Sequence, residues 1–255
     1  DIDNIVAFGV DTDVSPYDSG SYASATTYVT GMAVTDACQK LRTQIQELGA
    51  EMLEKKPEEV DFDGKVVYEL DGDRKITLEE IAVKGTCGNN VNLQASATRS
   101  SKISPPPFMV GMAEVEIDKE TGGLELLDYV AVVDCGTPIN PNLARVQTEG
   151  GIAQGIGMAL YEDIQYNEKG QLRNNSFMQY KIPTRQDVGK IRVEFAPSYE
   201  KSHPFGAKSI GEIVINTPCP AIANAVDHAL GIRIREMPIT AEKLAMELLK
   251  RQENK

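Results

Sequence analysis

Four glycines, Gly150, Gly151, Gly155 and Gly157, fall inside a stretch from Pro141 to Tyr161 whose remaining residues favour a helix. A glycine in a helix interior costs up to ~1 kcal/mol relative to alanine, so four of them in so short a span need a compensating reason. Because glycine has no side chain, its backbone can be approached closely. The approaching surface is either another helix or a bound cofactor, and the spacing leaves both open. Leu143, Val146, Ala153, Gly157 and Leu160 are expected along the packed side of this helix.

The rest of the chain mixes helix and strand signals. Val34, Cys38, Leu41, Ile45, Leu48 and Met52 recur every three or four residues between Thr30 and Glu54 and predict one apolar helix face, which Pro57 ends. Val60 to Phe62 and Lys65 to Glu69 read as short strands split by Asp63-Gly64, with a second turn at Asp71-Gly72-Asp73. These aspartates lack the spacing of a calcium loop and are read as turn residues. Thr77 can cap a short helix over Ile76 to Val83, with Glu79 and Glu80 in its first turn.

Gly85 to Pro107 is polar, ends in three prolines and reads as an exposed connection. Beyond it, Met112 to Asp118 and Leu124 to Val133 predict paired strands around Lys119 to Gly123. Pro220 opens a predicted helix through Leu230 with Gly231 beyond its end, and a last helix follows Thr240, with Ile239 and Leu244 as its staple and Leu248 and Leu249 on its buried side. Strands, hairpins and helices without βαβ repetition give an α+β fold of mixed sheets and packed helices. The division between two domains is placed near 100, as 1–100 and 101–255.

At 255 residues and 41% hydrophobic content, the chain can bury a sizeable core. Its net charge of -12 repels phosphate backbones, so nucleic acid is not an expected partner. Cys38, Cys87, Cys135 and Cys219 lie far apart with no Cys-x-x-Cys pair, which gives no support to an iron-sulfur or zinc site held by this chain. No apolar run reaches about 18 residues, so no membrane association is expected and a cytoplasmic location is the default. The chain opens on Asp1 rather than methionine, which leaves its natural boundary open.

The residues from Gly206 through Ala207, Lys208, Ser209, Ile210 and Gly211 to Glu212 join glycines that admit a ligand to a carboxylate that could remove a proton. A carboxylate beside a turn is commonplace, and this stretch alone does not establish a catalytic base. The stretch resembles the glycine-glutamate motif of the molybdenum hydroxylases, the xanthine dehydrogenase and aldehyde oxidase family. Glu149 to Glu162, containing the four glycines, is similar to that family's glycine-rich cofactor helix. Asp11-Thr12-Asp13, Tyr17 and Gly20 to Thr27 resemble its pterin-wrapping loop. The segments before Asp134-Cys135-Gly136, at Ile139 to Pro141 and at Ser176 to Pro183 match in the same order, so the resemblance covers most of the chain.

What the resemblance implies is specific. Glu212 would be the general base that activates the molybdenum-bound hydroxyl group, and Gln154 would donate its amide to an oxygen ligand of the cofactor. Gly155, Ser24, Ala25, Thr26, Thr27, Lys208 and Gly211 would help hold the molybdenum-molybdopterin cofactor, with its cytosine dinucleotide form among the candidates. No side chain here is expected to bind the metal directly. Residues 1–100 would be part of an N-terminal molybdopterin-binding subdomain, and 101–255 the C-terminal one with the catalytic glutamate.

The preceding half of the family's molybdenum portion is not in this sequence. The resemblance therefore implies a complementary N-terminal molybdenum-binding subunit or domain, with [2Fe-2S] centres and FAD on further partners, and an isolated chain that is not catalytic. The reaction would oxidise an N-heterocycle such as xanthine, or an aldehyde, with water supplying the oxygen. A noncatalytic assembly protein that keeps the fold is the alternative. A simple nucleotide-binding module is disfavoured because no phosphate-binding lysine loop or dinucleotide fingerprint occurs. Met109 to Met112 lacks the histidine common before this family's Ala-Glu-Val strand. His203-Pro204 is expected to shape a surface turn, Phe205 to close a pocket, and His228 to be polar or packed rather than a ligand.

Overall fold

The computed structural model of the protein describes residues 2–9, 11–89, 91–196 and 198–253. The chain forms two compact units, one of Asp1–Tyr22 with Val29–Lys102 and one of Ala23–Tyr28 with Ile103–Lys255. Helix α1 runs from Thr26 to Leu53, and its first turn is grouped with the second unit.

In the first unit, strands β1 (Val60–Phe62), β2 (Val66–Glu69) and β3 (Lys75–Thr77) form an antiparallel sheet in sequence order. Asp63 holds the first turn by accepting from the Lys65 and Val66 amides, both at 2.8 Å. The expected apolar face is only half buried. Ile45 and Leu48 join Val60, Phe62, Val67 and Ile81 in the core, whereas Val34 and Cys38 are exposed, because the sheet packs on the C-terminal half of α1 alone. Gly49 permits that packing: a Cβ there would lie 2.7 Å from Val67.

α1 stops before Pro57. Glu54 turns left-handed at φ 57°, and the Lys55 amide donates to the Ala50 carbonyl at 2.9 Å. Helix α2 (Leu78–Lys84) starts as its sequence implies, with Thr77 and Glu80 bonding each other's backbone amides in a capping box, while Ile76 belongs to β3.

In the second unit, β4 (Phe108–Ile117) pairs antiparallel with β5 (Leu124–Asp134), as the paired-strand reading requires. β6 (Lys190–Phe195) then adds in parallel to β5 and was not anticipated, although Lys190, Arg192 and Glu194 alternate with Ile191, Val193 and Phe195. Helix α3 (Pro141–Leu160) lies between β5 and β6 in sequence, its start capped by Asn140 accepting from the Leu143 amide at 3.1 Å. Short α4 (Ile213–Asn216) is followed by α5 (Pro218–Leu230) and α6 (Ala241–Glu253).

The core of this unit joins Tyr129 and Ala131 of β5 to Ile152 and Ile156 of α3, Ile222 and Val226 of α5, and Leu244 of α6. Gly231 ends α5 at φ 65°, with its amide donating to the Asp227 carbonyl. The staple forms, Ile239 and Leu244 both being buried, but Leu249 faces outward. The packed side of α3 matches the expected one toward its C-terminus, where Gly157 and Leu160 are buried and Ala153 packs against the core, and differs at its start, where Leu143 and Val146 are exposed; Gly151, Ile152, Gly155, Ile156 and Ala159 also face inward. Among the described residues no helix is long and apolar enough to cross a membrane.

Candidate functional site

Three of the four glycines of α3 are explained by contacts within the chain. A Cβ on Gly151 would lie 2.2 Å from Val214 of α4, one on Gly155 2.7 Å from Pro218 of α5, and one on Gly157 2.1 Å from the Glu162 carboxylate. Gly155 therefore serves helix packing in this structure. Gly150 is different, with nothing within 4 Å of a Cβ.

The close approach of α4 to α3 brings Glu212, immediately before α4, alongside the exposed face of α3. Between them lies a cleft of about 370 Å³ lined by Gln147, Gly150, Gly151, Gln154, Gly211 and Glu212, with Val146 and Ile215 as its apolar wall. Glu212 and Gln154, 58 positions apart in sequence by their numbers, thus line one cleft, and both are exposed. Gln147 and Val146 were not anticipated as site residues. The signal was present, since Gln147, Gly150, Gly151 and Gln154 recur at helical spacing, and the sequence left open whether the glycines meet another helix or a cofactor.

The loop before Glu212 is fixed to the end of β5. Gly136 adopts φ 69° and pairs with Ala207; a Cβ there would meet the Gly206 carbonyl at 2.2 Å. The Lys208 amide donates to the Cys135 carbonyl at 2.8 Å, and the Lys208 ammonium contacts Asp134 at 2.7 Å. Burial opposes the charge on Asp134, but hydrogen bonds from Lys208, Ser198 and the Gly136 amide outweigh it and hold the carboxyl below its ordinary range. Lys208 is engaged in this structural pair and is not among the residues lining the cleft. Burial pushes the neighbouring Cys135 thiol upward.

His203 shapes the turn but is buried rather than on the surface. Its Nδ1 accepts from the Phe205 amide at 3.2 Å and the Ala207 amide at 3.3 Å, so the ring is neutral there. Burial pushes its pKa down, with the Thr27 backbone opposing. Phe205 and His228 are exposed.

Ahead of α1, Ala23 and Ser24 both occupy the left-handed region, at φ 50° and 54°. The Ser24 hydroxyl donates to Glu212 Oε2 at 3.1 Å. Ala25 is half-buried, and Thr26 and Thr27 are exposed in the first turn of α1, where amides have no intrahelical partner. Among the described residues, no group of three His, Cys, Asp or Glu side chains could hold a metal ion. An open glycine beside an amide and a carboxylate fits a bulky cofactor that brings its own organic ligand to the metal.

Comparison with known proteins gives the family. Residues 1–189 match the molybdopterin cofactor-binding domain family model. A probable hypoxanthine oxidase of Escherichia coli is 36% identical over 245 residues, covering 94% of this chain and 25% of that protein. The gamma subunit of the 6-hydroxypseudooxynicotine dehydrogenase complex of Paenarthrobacter nicotinovorans is 32% identical, covering 95% of this chain and 32% of that subunit. The crystal structure of quinoline 2-oxidoreductase from Pseudomonas putida superposes with a TM-score of 0.81 at 27% identity, covering 93% of this chain and 32% of that one. The chain thus spans about a quarter to a third of the length of these relatives. It belongs to the molybdenum hydroxylase family, as a molybdopterin cofactor-binding domain with that family's α+β fold.

Proposed function

We propose that this chain forms the base-bearing part of the active site of a molybdenum-dependent hydroxylase that oxidises an N-heterocycle. The observation that carries this reading is the shared cleft of Glu212 and Gln154 beside the unfilled side of Gly150. When bound, the molybdenum cofactor supplies a two-electron acceptor and directs oxygen from water to the substrate carbon.

The chain's own residues then have distinct tasks. Glu212 receives the proton at Oε1, since Ser24 already donates to Oε2 and Oε1 has no hydrogen-bond partner among the described residues. The Gln154 amide donates to an oxygen acceptor on the cofactor, and Gly150 leaves room for it against the helix backbone. Thr26, Thr27 and the amides at the start of α1, which have no intrahelical partner, suit an anionic cofactor tail. Gly155 and Lys208 act at one remove, by setting the α3–α5 packing and the loop before Glu212. The heterocycle reading takes its support from the names of two relatives, a hypoxanthine oxidase and a quinoline oxidoreductase, with an aldehyde as the alternative.

The exposure of Glu212 and Gln154 on their cleft supports a cofactor shared with a complementary molybdenum-binding portion, with iron-sulfur and FAD carriers on further partners. The test is to measure molybdenum and pterin on this chain expressed alone and coexpressed with that portion. Both are expected in stoichiometric amount, together with substrate oxidation, only after coexpression. Full, active loading of the chain alone would refute the shared site, and a loaded assembly that oxidises no heterocycle or aldehyde would refute the catalytic reading.

A further inference from the structure

The only hydrogen bond that the described residues make to the Glu212 carboxylate comes from a residue 188 positions earlier in the chain. Ser24 reaches it at a conformational cost. Two consecutive non-glycine residues, Ala23 and Ser24, stand in the left-handed region, a conformation that persists only where surrounding contacts enforce it. Those contacts are present. Gly211 leaves the space that Ser24 fills, since a Cβ there would lie 2.7 Å from Ser24 Oγ.

Four residues after Ser24, the Tyr28 hydroxyl meets Ser202 Oγ at 2.6 Å, and Ser202 donates to Glu200 at 2.6 Å. The buried His203 ring lies 5.5 Å from the Tyr28 ring, between centroids. The segment from Ala23 to Tyr28 is thus tied at both ends to the loop that presents Glu212.

We infer that Ser24 is a positioning residue for Glu212: its hydroxyl fixes one carboxylate oxygen, so that the other is presented into the cleft as the proton acceptor. This rests on the reading of Glu212 as the general base. A free carboxylate would rotate about its terminal torsion, which is broad and roughly two-fold, and the donor at Oε2 selects one orientation.

The experiment compares the unaltered protein with Ser24→Ala, Ser24→Gly and Glu212→Gln. Ser24→Gly relieves the left-handed strain while also removing the hydroxyl, so it separates strain from hydrogen bonding. In the full chain with labelled glutamate carboxyl carbons, the NMR signal assigned to Glu212 by its loss in Glu212→Gln should move in both Ser24 variants, with the Glu69 signal unmoved. In the loaded assembly, each Ser24 variant should slow reduction by substrate about tenfold, the scale of one hydrogen bond to a charged group, with substrate affinity unchanged. Ser24→Ala should add little to Glu212→Gln, because both act through one group.

An unmoved Glu212 signal, or Ser24→Gly behaving as the unaltered protein, would overturn the inference. So would a full rate in Ser24→Ala when Glu212→Gln is slow, which would leave the base assignment standing. A full rate in Glu212→Gln would overturn the base assignment and the inference with it.

Discussion

Two glutamates, one in each unit, mark the difference between a charge used to hold a fold and a charge left available for chemistry. Glu69, in the small antiparallel sheet, is buried and faces Arg74 at 2.7 Å and Lys55 at 3.9 Å. Arg74 holds its carboxyl below the ordinary range by direct hydrogen bonding, against the opposing effect of burial. Glu212, in the larger unit, is exposed, has no cationic partner within salt-bridge distance among the described residues, and accepts from one hydroxyl. Both cations converge on Glu69 Oε1, and a carboxylate neutralised by cations is a poor proton acceptor, whereas one on a cleft with no cation beside it can serve as one. The same contrast runs through α3, where Gly151, Gly155 and Gly157 are filled from within the chain and Gly150 is not.

The largest expected loss of folding stability tests the inward glycines. Gly155→Ala places a methyl group 2.7 Å from Pro218 and 3.0 Å from the Ile215 carbonyl. Overpacking of this kind should cost about 1–3 kcal/mol by chemical denaturation. A variant as stable as the original would show that α5 can yield, and would reopen Gly155 as a cofactor contact.

Glu69→Gln should lower the melting temperature at neutral pH by a smaller margin. The sign follows from the lowered carboxyl pKa: the stabilisation is fully present above the unfolded value near 4.5 and is lost as pH falls through the folded value. The gap between Glu69→Gln and the original should therefore close on acidification below the ordinary carboxylate range. A gap independent of pH would show that shape, not charge, matters at this position.

Gly150→Ala should have the smallest effect, and of opposite sign. Nothing in the chain obstructs its methyl group, so the chain should gain up to ~1 kcal/mol from better helix propensity. If a cofactor uses that space, the same variant should retain less molybdenum after coexpression with the complementary portion. Unchanged retention would remove Gly150 from the proposed site.

Local patterning made much of this legible. The capping box at Thr77, the turn aspartate Asp63, the β4–β5 pair and the Gly231 helix end are each written in a few adjacent residues, where sterics and short-range hydrogen bonds decide the outcome. β6 was missed although its charges alternate, because a parallel strand is fixed by a partner more than 50 positions away rather than by a turn. The exposed Val34 and Leu143 show the same limit: periodicity gives a helix face but not how far a neighbouring sheet reaches along it. Glu212 and Gln154 were proposed through resemblance and line one cleft, while the Ser24 contact was not legible, since no local pattern links residues 188 positions apart.

The most direct test of the contrast between the two glutamates is the pre-steady-state rate at which substrate reduces the loaded assembly carrying Glu212→Gln, taken beside the thermal unfolding of that variant. The rate should fall by about 100- to 10,000-fold, the usual contribution of a positioned general base, with melting temperature and molybdenum content unchanged. An unaltered rate across pH in a fully loaded variant would contradict this expectation.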